Sequence, residues 1–195
     1  MNPIFKAAFV LVVVGLAASV IIYVGDPLNT DPTPGDIPGY HEVVPSGFSA
    51  PTTKRVVDIR DADSLMQPRL GVVRIADAII LQACPEKHPT CAAQALYIWS
   101  RNAITHQDAL LARSHLLSPE ETILYREADD QTLSILLASL LRAEGIDARI
   151  GDTAYVTFVE ANVSGEVVRL DPACVNCRFG ETRYRGSEEA IVWVD

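Results

Sequence analysis

Basic side chains are scarce in this sequence. Sixteen Lys and Arg stand against 25 Asp and Glu, a formal net charge of -9 over 195 residues. An acidic chain repels a phosphate backbone, which argues against nucleic acid as a partner. The shortage is sharpest near the N-terminus, where no Lys or Arg occurs between Lys6 and Lys54. Charge of either sign is missing from Ala7 to Val24 (AAFVLVVVGLAASVIIYV), which also has no proline and a single glycine. At ~1.5 Å of rise per residue, such a run nearly crosses a hydrocarbon core of about 30 Å. No small-x-small cleavage site follows it directly, and no cysteine near its end could carry a lipid. A retained signal anchor over residues 1–25 is expected, rather than a cleaved signal peptide. Lys6 precedes the run; Asp26, Asp31, Asp36 and Glu42 follow it. The positive-inside rule then puts the N-terminus in the cytoplasm and the rest of the chain outside it.

Proline is unevenly spent. Six of the twelve prolines (Pro27, Pro32, Pro34, Pro38, Pro45 and Pro51) fall between Asp26 and Thr53. That density blocks helices and sheet ladders, so residues 26–53 read as an extended spacer. Val43-Val44 or Phe48 could pin part of it to the domain that follows, residues 54–195.

Within 54–195, apolar residues at helical spacing predict helices over Leu70 to Leu81 and Cys91 to Ile104. Ser118-Pro119-Glu120-Glu121 is a capping box with proline at the first helical position, predicting a short helix to about Tyr125. Leu133, Leu136, Leu137, Leu140 and Leu141 make one stripe, closed by Gly145 as a C-cap. Glu127, Asp129 and Asp130 stand at its start, where the helix dipole favours anions. After Gly145 the texture is β-branched and aromatic: Ala148 to Ile150, Tyr155 to Val163, Glu166 to Leu170 and Ile191 to Val194. Ser164-Gly165 suits a tight hairpin turn. Helices followed by strands predict an α+β fold, with helices packed on an antiparallel sheet.

The ordered set of segments resembles the transglutaminase-like superfamily, a branch of the papain-related fold. The residues that carry it are Arg126-Glu127-Ala128-Asp129-Asp130, then LLASLLRAEGIDARI from Leu136, then VTFVEANVSGEVVRLDPACVNCRFGE from Val156. ALYIWSRNAITHQD from Ala95 and SPEET from Ser118 add to it, and LDPACVNCRFGE is similar to the version common in archaeal sequences. The resemblance implies a cysteine at a helix N-terminus, a histidine on the first hairpin strand and an aspartate ending the second. A helix dipole stabilises such a thiolate, the imidazole shuttles its proton, and the carboxylate orients the imidazole. Here Ala128 stands at the nucleophile position. Val156 stands at the base position, or Thr153 in the alternative register. Asp171 stands at the orienting position. A methyl group cannot attack a carbonyl, so the resemblance implies a catalytically inactive domain that binds or scaffolds a protein or peptide ligand. The alternative is an active cysteine peptidase or transamidase with a displaced nucleophile. Cys91, at a helix N-terminus, is the nearest candidate.

Cysteine is limited to four residues in two close pairs, Cys84/Cys91 and Cys174/Cys177. They could make one four-thiolate structural zinc site, or two disulfides as an outward-facing domain permits. His106 and His115 fall in a polar connection and are expected to face solvent.

Overall fold

The computed structural model describes residues 33–52, 55–107 and 115–195. The expected anchor at 1–25 and the first part of the spacer lie outside the described residues. Among the described residues no helix is long and apolar enough to cross a membrane.

The described part of the proline-rich segment is pinned to the domain, through the Val43-Val44 and Phe48 positions that could do so, and is not extended away from it. One turn of helix forms there, α1 (Tyr40–Val43), and Glu42 Oε2 caps the Gly39 N–H at its start. Val43 and Val44 are buried, and the Tyr40 hydroxyl donates to Ile123 O at 2.8 Å. Gly35 N–H reaches Ala83 O at 2.8 Å. Phe48 rests against Gly71, where a Cβ would come within 3.2 Å of the ring. Burying these apolar side chains, at about 25 cal/mol per Å², outweighs the tendency of a proline-rich chain to stay extended. A turn at Ile59–Asp61 and helix α2 (Asp63–Met66) follow, tucking Ile59, Leu65 and Met66 into the core.

Helices α3 (Leu70–Ala83) and α4 (Pro89–Ala103) form where periodicity predicts them. Helix α5 (Pro119–Tyr125) opens on the predicted capping box: Glu121 N–H donates to Ser118 Oγ at 3.2 Å, and Glu121 Oε2 accepts from Ser118 N–H at 2.8 Å. Arg126, left-handed at φ 59°, ends α5. The chain then enters a two-residue strand, β2 (Glu127–Ala128), parallel to β1 (Thr105–His106). Helix α6 (Asp130–Ala143) is buried on every side, not on the leucine stripe alone. Ser134, Ile135, Ala138 and Ser139 on its other faces are as inaccessible as Leu136 and Leu140. Gly145 at φ 73° takes the predicted C-cap role.

The sheet is antiparallel throughout, in the order β5-β4-β3-β6. Its strands are β3 (Ala148–Asp152), β4 (Thr157–Val163), β5 (Glu166–Leu170) and β6 (Val192–Val194). Register places Val194, Ile150, Val159 and Leu170 side by side in the core shared with the α6 leucines. The neighbouring cross-strand row is charged: Glu160 lies between Arg149 and Arg169, at 2.6 and 3.1 Å. Ser164 and Gly165 both have positive φ, the geometry of a two-residue hairpin turn matched to the strand twist.

Candidate functional site

Three segments meet at the N-terminal end of α6: the entry into that helix, the start of β4 and the end of β5. Ser134 on the first turns of α6 donates its hydroxyl to Thr157 O at 3.4 Å, fixing the helix against β4. Asp171 directly follows Leu170, whose sheet partner is Val159, so it stands beside the beginning of β4.

The three acidic residues before α6 have separate roles. Asp129 is the N-cap, its carboxylate accepting from Thr132 N–H at 2.8 Å, as the dipole argument anticipates. Glu127 is half-buried in β2. Asp130 does more than favour a helix end. Its Oδ1 lies 2.6 Å from His106 Nε2, and its Oδ2 accepts from Arg183 Nη2 at 2.7 Å. The expectation that His106 faces solvent is therefore corrected. The short β1–β2 pairing sets His106 opposite Ala128, two residues from Asp130, and turns its ring onto that carboxylate.

Asp171 is fully buried. A buried carboxylate is tolerated only with partners for its oxygens. Arg183 supplies them from both backbone and side chain: N–H to Oδ2 at 3.0 Å, Nε to Oδ2 at 2.9 Å, and Nη2 to Oδ1 at 3.1 Å. The carboxylate raises the pKa of this guanidinium above its ordinary value, chiefly through those hydrogen bonds, so it stays charged. One cation thus joins two carboxylates, and the polar chain runs His106, Asp130, Arg183, Asp171. Tyr97 extends it, its one hydroxyl proton shared between the Asp171 carbonyl at 3.2 Å and the Cys177 carbonyl at 3.3 Å. Burial pushes the Tyr97 phenol above its usual range, against a smaller pull from Arg101, so it remains a donor at neutral pH.

Ala128, the expected nucleophile position, is buried. Val156 is half-buried in a turn closed by Thr153, whose Oγ1 accepts from Val156 N–H at 3.0 Å and donates to Val156 O at 2.8 Å. Neither register brings an imidazole to this place. The four sulfurs form two disulfides, Cys84–Cys91 and Cys174–Cys177, and no cysteine is free. In this state they do not form the four-thiolate zinc site, which needs all four sulfurs reduced and gathered around one ion. Cys91 is bonded and buried, so it presents no thiolate. Asp171 lies next to the second pair, with ligand atoms of Asp171, Cys174 and Cys177 all within 4.8 Å of one another.

Arg183 and His106 are the residues that sequence reasoning missed. Arg183 carries no motif. A signal for it existed only indirectly, in the need of a buried Asp171 for a cation.

Residues 78–167 match the family model described as the transglutaminase-like superfamily. No curated protein matches the chain. Among solved structures, the chain is similar to a putative protease from Parabacteroides distasonis ATCC 8503, with 12% identity and a TM-score of 0.47, over 57% of this chain and 25% of that one. It is also similar to a putative cysteine protease from Cytophaga hutchinsonii, with 15% identity and a TM-score of 0.42, over 72% of this chain and 49% of that one. The chain thus spans a quarter and about half of the lengths of these two proteins.

Proposed function

The chain carries a domain of the transglutaminase-like superfamily, and from that premise we propose that it is a catalytically silent member, an anchored module that binds or scaffolds a protein or peptide outside the cytoplasm. One observation carries the reading. The carboxylate that would orient an imidazole has both oxygens taken by Arg183, beside a position held by a methyl group. A guanidinium does not give up its proton near neutral pH, so it cannot replace the base. Acyl transfer by this family's chemistry needs a nucleophile and a proton carrier; Ala128 offers no nucleophile, and the imidazole that lies opposite it, His106, is paired with Asp130 and not with Asp171. The hydrophobic run Ala7 to Val24 supports anchoring, and the acidic residues after it support an outward-facing domain. A displaced-nucleophile enzyme draws no support from Cys91, which is tied to Cys84.

The test is turnover. Full-length protein is incubated with fluorogenic peptides and with a glutamine peptide plus a labelled amine. Rates equal to buffer are expected. Release or incorporation above buffer that is lost in His106→Ala would overturn the reading, because it would make the His106–Asp130 pair a working base. Binding is followed separately, by fluorescence anisotropy against a labelled peptide library under the same conditions.

A further inference from the structure

The two disulfides differ in ways that assign them different work. Cys84–Cys91 joins the end of α3 to the start of α4, and both cysteines are 2% exposed. Cys174–Cys177 closes a surface turn of Cys-x-x-Cys form. Cys174 is buried, Cys177 is half-exposed, and Val175 between them is 80% exposed. A bond that closes so short a loop constrains the unfolded chain least, so stability gives little reason for it.

The turn is held without that bond. Arg101, from the C-terminal end of α4, donates Nη1 to Cys177 O at 2.9 Å and Nη2 to Val175 O at 2.7 Å. Tyr97 donates to Cys177 O, and Cys174 N–H reaches Asp171 O at 3.2 Å. With these bonds in place, breaking the S–S bond leaves the two sulfurs facing each other. The Asp171 carboxylate, within 4.8 Å of both sulfurs, has its charge met by Arg183. A partly exposed cysteine and a partner sulfur kept in place are what reversible exchange requires.

We propose that Cys174–Cys177 is a thiol–disulfide exchange site whose co-substrate is a protein dithiol. The partner's thiolate attacks Sγ of Cys177, the more exposed residue of the pair. The Cys174–Cys177 bond breaks, a mixed disulfide forms, and Cys174 leaves as thiolate. The partner's second thiol then attacks its own sulfur in the mixed disulfide and releases Cys177. Two electrons pass to this chain, both thiolates can take protons from water, and the partner departs as a disulfide. The reverse sequence re-oxidises the pair. This assignment does not depend on the catalytic silence proposed above.

The experiment equilibrates the full-length protein with graded ratios of reduced to oxidised dithiothreitol, quenches by alkylation and reads each pair by peptide mass spectrometry. Cys174–Cys177 should reach half-reduction at a ratio at least about tenfold lower than Cys84–Cys91, with near-UV circular dichroism unchanged. Reduction of both pairs together, or opening of Cys174–Cys177 only as the dichroism collapses, would overturn the proposal. Thioredoxin lacking its second cysteine serves as the trapping probe. A mixed disulfide at Cys177 is expected, and one at Cys174, or none, counts against the stated route. Arg101→Met separates clamp from chance: the midpoint should move several-fold toward easier reduction. An unmoved midpoint would overturn the claim that Arg101 holds the two sulfurs in place for exchange.

Discussion

Leu137 at the middle of α6 and Asp171 at the end of β5 are both fully buried, and they are buried on different terms. Leu137 needs only apolar neighbours of suitable volume, and the helices and sheet around α6 provide them from all sides. Asp171 needs particular donors at particular distances, and Arg183 supplies three of them. A leucine core degrades gradually as contacts are lost. A charge network fails by leaving one member unpaired in a place that water does not reach. The polar corner is therefore the more specific structure, although the leucine core contributes more stability.

The sharpest way to break this comparison is to cut each region once. Leu137→Ala should lower stability by about 3–4 kcal/mol in urea unfolding, through lost transfer energy and a cavity. Arg183→Met should cost less, about 2–3 kcal/mol, because the guanidinium is a third exposed and part of its pairing is screened. Asp171→Leu combined with Arg183→Met should recover at least about 1 kcal/mol relative to the sum of the single changes. Strict additivity in that cycle would show that the two residues do not act as a pair. A third cut tests the sheet. At Gly151 a Cβ would meet the Phe158 ring at 2.5 Å, so Gly151→Ala should destabilise by about 1–2 kcal/mol as the ring shifts. No change there would mean that the ring has somewhere else to go.

The same contrast explains what could be read in the sequence. The leucine stripe of α6, the capping box of α5 and the Ser164-Gly165 turn are local patterns, each set by residues within a few positions of one another. All three appear where expected. The all-round burial of α6 was not legible, because Ser134 and Ser139 look like a solvent face until tertiary packing covers them. The polar corner was half legible. Asp171 stood out by its resemblance to the family's orienting carboxylate. Its cation lies 12 residues onward, and Asp130 lies 53 residues from that same cation. Pairings at such separation are set by tertiary packing, and no periodicity reports them. His106 was misread for the same reason: its carboxylate is 24 residues away across a two-residue strand pairing.

The spacer stands between these cases and gives the smallest and most local prediction. Its prolines forecast an extended chain, yet Val43 and Val44 are buried and Tyr40 reaches into the domain. Tyr40→Phe keeps the ring, and with it the Arg126 guanidinium stacked 4.5 Å from its centroid, while deleting the hydroxyl that donates to Ile123 O. The loss should be about 1 kcal/mol or less, since the site is only half-buried and water can replace the donor. Its signature is positional. Val44 N–H, bonded to Tyr40 O at 2.9 Å, should exchange faster with deuterium, while Leu133 N–H in α6 keeps its protection. Equal loosening at both places would mean that the proline-rich segment is part of the cooperative core. Unchanged exchange at Val44 would mean that valine burial holds the segment without help from the hydroxyl.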